Sequence, residues 1–181
     1  IDGNITGQSL AVNNASTLTS TTISATNNVT FTGAVTLAGG ASTVGSTNGN
    51  VTFALDVSGA QNLTVNADNG TATFNTTVGA GADPTSLTVN AATTSFGGDV
   101  TVAAGGLTVN GSGATTTLAA GTITSGAAID INDSVVLAGD VTITTAAANA
   151  NIDILGTING TAANTQSLTL AAGTGTVTLD N

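Results

Sequence analysis

The chain has 181 residues and a net charge of −10, carried by ten Asp; Lys, Arg, His, Glu, Cys, Met, Trp and Tyr are absent, and the only aromatics are four Phe. Without imidazole, thiol or amine, a Ser or Thr nucleophile has no base, the common zinc and transition-metal sites have no ligands, and no cation can hold a phosphate. These absences predict no enzyme activity, no nucleic-acid binding and no attraction to anionic membranes.

No run approaches the ~20 apolar residues of a membrane span, so membrane insertion is not expected. The lack of cysteine excludes a disulfide scaffold. A complete lack of Lys and Arg departs far from the average of about 25% charged residues and points to an extracellular or cell-surface location. The opening Ile1-Asp2 carries no secretion signal, so the chain reads as a mature piece or an excerpt.

Thr and Val favour strands, Gly and Asn favour tight turns, and no 3.6-residue apolar period is present. Strand signatures follow one another at 9–13, 28–31, 34–37, 50–53, 62–66, 86–90, 99–102, 106–110, 140–143, 167–170 and 176–179. Each alternates apolar residues with Thr or another polar residue, the period of a half-buried strand. Gly, Asn and Asp punctuate the gaps.

The Phe residues give the coil length. Phe31, Phe53, Phe74 and Phe96 are spaced by 22, 21 and 22; Leu10 lies 21 before the first and Leu118 lies 22 after the last. Such a ladder stacks one large side chain above another in successive turns. The spacing predicts an all-β chain: a right-handed parallel β-helix, or β-solenoid, of about nine coils of about 20–22 residues, with an inward ladder of Phe, Leu, Val and Ile. At one strand spacing per coil it forms a rod of roughly 40 Å.

A longer repeat overlies the coil. Residues 35–39 match 135–139, 50–53 match 151–154, 61–65 match 166–170 and 70–74 match 175–179, at offsets drifting from 100 to 105. Joining residue 181 to residue 1 continues the pattern. The expectation is a single solenoid segment over 1–181, one unit of a tandem array or an end-to-end fibre, whose partners are copies of itself.

Strings such as Val-Thr-Phe-Thr-Gly-Ala-Val-Thr-Leu-Ala-Gly-Gly at 29–40 and Gln-Asn-Leu-Thr-Val-Asn-Ala at 61–67 resemble the repeat regions of large bacterial surface proteins, the filamentous-haemagglutinin-like and autotransporter-like adhesins. The resemblance implies a right-handed parallel β-helix, export to the cell surface and a spacer, filament or adhesive role. For an adhesin it implies a host or matrix glycan as partner. It carries over no functional residue.

Asp130, Asn132 and Asp133 place hard oxygen ligands close together and are the candidate calcium ligands; Asp99 and Asp140 open similar strands. No other cofactor is expected. Asp130 and Asp133 are also the one pair to consider for glycoside cleavage, but no side chain suited to holding a sugar accompanies them. Thr-x-Thr pairs at 71/73, 122/124, 142/144 and 176/178 raise an ice-binding face of the solenoid as an alternative, beside a glycan-binding one, although they do not keep one coil phase.

Overall fold

A computed structural model describes residues 1–111, 114–119 and 121–180; Asn181, the last residue of the predicted unit, lies outside them. The described chain is all-β, and every strand pairing is parallel. Strands wind through three faces in a fixed order. β1 (Asp2–Gly7) lies on the first face and β2 (Leu10–Val12) on the second. The bent strand β3 (Ser16–Ala25) gives its first half to the third face and its second half to the first again.

The cycle repeats as β4 (Val29–Phe31), β5 (Val35–Ala38) and β6 (Ser42–Ser46), then β7 (Val51–Phe53), β8 (Val57–Ser58) and β9 (Asn62–Asn66). β10 (Thr71–Phe74) is followed by the single bridging residue Val78 on the third face. Next come β11 (Ser86–Asn90), β12 (Thr93–Phe96) and β13 (Val100–Val102), and then β14 (Gly106–Asn110), β15 (Thr115–Leu118) and β16 (Gly121–Ser125). The last turns are β17 (Ile129–Ile131), β18 (Ser134–Leu137) and β19 (Val141–Thr144), then β20 (Ile152–Ile154), β21 (Ile158–Gly160) and β22 (Leu168–Ala171), with β23 (Val177–Leu179) closing on the first face.

This is a parallel β-solenoid. Its second face holds eight strands, so the rod has about eight turns against the nine expected. The difference arises in the turns between strands. Val12 lies under Phe31 after 19 residues, whereas Val141 lies under Leu168 after 27. Extra residues go into outward corners, where loop closure costs little.

Alternation does the folding work. Mostly apolar residues point inward at every second position, with the buried Thr94 and Thr116 taking two places in an inward column, and Thr, Ser, Asn or Asp points out. On the second face Phe31, Phe53, Phe74 and Phe96 stack in one column, with ring centroids 5.2, 5.0 and 5.2 Å apart and interplanar angles of 2°, 11° and 19°. Leu118 follows Phe96 directly, as the spacing predicts, and Leu137 continues the column. Leu10 does not belong to it. The first turn is two residues short of 21, so Val12 sits under Phe31 and Leu10 moves one column across, under Val29.

The longer repeat also differs from its sequence reading. Val35 lies on the third face but Val135 on the second; Val51 lies on the second but Ile152 on the first. Its matches preserve the alternation, which all faces share, while changing face.

Corner residues tie turn to turn. Asn28 Oδ1 accepts the Asn50 N–H at 2.9 Å, and Asn50 Oδ1 accepts the Thr71 N–H at 2.9 Å. Asp99 Oδ1 accepts the Thr122 N–H at 2.7 Å, and Asp140 Oδ1 accepts the Ser167 N–H at 2.8 Å and its Oγ–H at 2.9 Å. Each bond satisfies a backbone donor or hydroxyl at a bend, where ladder pairing lapses.

Candidate functional surfaces

The proposed calcium ligands separate in three directions. Asp130 points out from the first face, stacked between Thr108 and Asp153. Asn132 donates from Nδ2 to Asn110 Oδ1 at 2.7 Å, ending an amide ladder in which Asn110 bonds Asn90 at 2.9 Å and Asn90 bonds Asn66 at 2.7 Å. Asp133 turns inward at the corner, only 2% exposed, and its Oδ2 accepts the Thr116 hydroxyl at 2.9 Å. Asp99 and Asp140 have their corner bonds. No group of three acidic side chains converges among the described residues. The geometry therefore assigns Asn132 to the ladder and Asp133 to the core wall, and brings no calcium site together.

Two of these carboxyls are shifted. Burial pushes the Asp133 carboxyl above its ordinary value, against the pull of the Thr116 hydroxyl and the Gly111 N–H. Burial, then repulsion from Asp153 one strand away, pushes Asp130 up in the same direction. A carboxyl with a raised folded value binds its proton more readily folded than unfolded. Stability then increases as pH falls from above the raised folded value to the ordinary 3.8 of the unfolded chain. Asp130 is largely solvated, so most of the effect belongs to Asp133. Thermal unfolding followed by circular dichroism should give a higher Tm at about pH 4 than at pH 7, the reverse of ordinary acid denaturation. Asp133→Asn should remove most of that rise; a Tm that falls on acidification contradicts the assignment.

The outward hydroxyls form columns. On the second face Thr30, Thr52, Thr73, Ser95 and Thr117 stack in register, and Thr71, Thr93, Thr115 and Ser134 stack beside them. Spacings are ~4.8 Å along the rod and ~6.6 Å across it, and no charge interrupts the array. The Thr-x-Thr pairs at 122/124 and 142/144 stack on the third face, while Thr178 lies on the first. Sequence reading missed the broader array because its members are Thr-x-Ser and Thr-Thr-Thr as well as Thr-x-Thr.

β21, β22 and β23 each have a partner on one side only, as do β1 and β2. Val177 and Leu179 are 39% and 49% exposed, although Ile152 and Ile154, directly beneath them in the same columns, are fully buried. No helix among the described residues is long and apolar enough to cross a membrane.

No family model, curated protein or solved structure matches this chain. The likeness to surface adhesins stands on the quoted strings alone.

Proposed function

We propose that this chain is a rigid, non-catalytic structural segment of an extracellular filament, sheath or surface fibre, with copies of itself as its partners. The observation that carries the reading is the register. Side-chain columns run from turn to turn along all three faces. A stack of this kind bears load through parallel hydrogen-bond ladders and fills its interior with Val, Leu, Ile and Phe. A passive bacterial adhesin stalk uses the same physics, with a host or matrix glycan held by a domain at its tip.

The composition supports a location outside the cell. No Lys or Arg is present, so trypsin-like proteases find no cleavage site. Immunogold labelling of the source cells with antibody raised against this chain should decorate extracellular fibres or the cell surface. Label confined to the cell interior overturns the reading.

A second reading has one observation behind it: the charge-free double column of hydroxyls on the second face. A flat, regularly spaced hydroxyl array suits an ordered water lattice, and an ice-binding face follows from it. Thermal hysteresis at micromolar protein, abolished by Thr73→Lys, is the expected result; no hysteresis at that concentration removes this reading.

A further inference from the structure

Every side-chain charge on this chain is negative, so two copies lying side by side repel wherever their carboxylates face each other. The three faces differ in this respect. Asp130 and Asp153 stand on the outward side of the first face. Asp56, Asp99 and Asp140 line the corner that opens the third, each just ahead of β8, β13 or β19. None of the eight strands of the second face carries a carboxylate. Above Thr117 its central column goes on to Val136 and Asn159, again short and uncharged.

Short outward side chains make this face flat, and they repeat at the ~4.8 Å strand spacing. Two such faces can interdigitate at the ~10 Å separation of stacked sheets, as identical short side chains do in dry interfaces between paired sheets. The backbone needs nothing from the partner, because the ladders already pair it. Eight strands at ~4.8 Å give a face ~38 Å long, and three to four residues per strand at ~3.3 Å make it ~10–13 Å wide. A copy docked there covers roughly 400–500 Å² of each rod. Stable complexes bury about 800 Å² per partner, so one segment pairs weakly. Each further turn of a longer array would add roughly 50–60 Å², and pairing strengthens with length.

We propose that the second face is a lateral docking surface, on which a second copy of this chain lies side by side with its own second face turned inward. Pairing there keeps the carboxylates of both rods at the rim or the outside of the assembly, where water and salt screen them. The first face allows no such approach: Asp130 and Asp153 would be buried against the partner's surface with no cation to offset them. Because the columns repeat at every strand, the partner fits at successive registers one spacing apart, so staggered copies build a two-rod ribbon. The proposal rests on the filament and sheath reading and names the face through which its rods meet.

Ser95→Asp and Thr88→Asp test this with the same change of charge. Ser95 lies mid-column on the second face between Thr73 and Thr117, and Thr88 lies mid-column on the first between Thr64 and Thr108. Small-angle X-ray scattering at millimolar protein, in salt sufficient to screen the −10 charge, measures mass per unit length. The unsubstituted chain and Thr88→Asp should rise with concentration towards twice the single-rod value. Ser95→Asp should need about tenfold more protein, or stay single. Circular dichroism checks that both variants keep the fold; if Ser95→Asp unfolds, Thr52→Asp, two strands down the same column, repeats the test. A single-rod value at every concentration overturns the proposal, and so does equal weakening by the two variants. Growth in length at constant cross-section overturns it as well. Thermal hysteresis in a chain that stays single assigns the face to ice instead. Failure of the pairing leaves the fibre reading standing, because immunolabelling decides that separately.

Discussion

Phe53→Ala should destabilise the protein by about 4–5 kcal/mol, the largest loss expected from any single truncation in the core. Phe53 is fully buried, and its ring lies between those of Phe31 and Phe74 at 5.2 and 5.0 Å. Truncating a buried Phe to Ala costs about 3–5 kcal/mol through lost burial and the cavity left behind. Stacking with each neighbouring ring contributes roughly 0.5–1.5 kcal/mol more, not fully additively. The interior offers little to collapse into the gap, because the column is fixed by backbone ladders on both sides. Phe53→Leu should cost only about 1–1.5 kcal/mol, since the same column accepts Leu118 and Leu137 higher up. Urea unfolding measures both. In a solenoid each turn is stabilised mainly by its neighbours, so the Ala variant should also unfold less cooperatively, with a lower m-value. A loss below about 1 kcal/mol for Ala would place Phe53 outside a packed column.

That column was the most legible feature of the sequence because Phe is scarce. Four markers at near-constant spacing report the turn length without help from the degenerate Val, Thr and Ala around them. Where the marker changes type, legibility drops. Leu10 matches the spacing of the later turns, yet the first turn is shorter, and only strand pairing shows that Val12 takes the position under Phe31. The turn count drifts for a similar reason: the corners beyond residue 144 grow outward and leave no apolar signature. The candidate calcium residues show a deeper limit. Asp130, Asn132 and Asp133 are adjacent in sequence, but the chain turns a corner between them. One joins an outward stack, one an amide ladder and one the core wall. Their partners, Asp153, Asn110 and Thr116, lie 17 to 23 residues away, a distance at which local spacing says nothing about direction. The corner bonds of Asp99 and Asp140 are equally hidden, because each acceptor serves a donor one full turn on.

The fold's tolerance should fail most sharply where backbone meets backbone. Gly59→Ala is expected to destabilise by more than about 3 kcal/mol, while Gly81→Ala, about one turn further on, should cost only about 1–2 kcal/mol. The two glycines share the conformational problem: φ is +106° at Gly59 and +85° at Gly81, both in the region that L side chains rarely adopt. They differ in space. A Cβ on Gly81 meets nothing within 4 Å, whereas on Gly59 it would overlap the Leu37 carbonyl oxygen and lie 2.7 Å from the Leu37 nitrogen. Leu37 cannot retreat. Its strand, β5, is held between β3 below and β8 above, and its side chain is buried. Relief would require the turn that contains Gly59 to lift away from the one beneath, breaking ladder bonds on the third face. The same substitution at the two sites separates backbone strain, which both carry, from coil-to-coil contact, which only Gly59 carries. Urea unfolding of the two variants measures the difference. Equal losses would mean that successive turns are not packed backbone on backbone at this corner, and the close stacking on which the rod's stiffness depends would lose its support there.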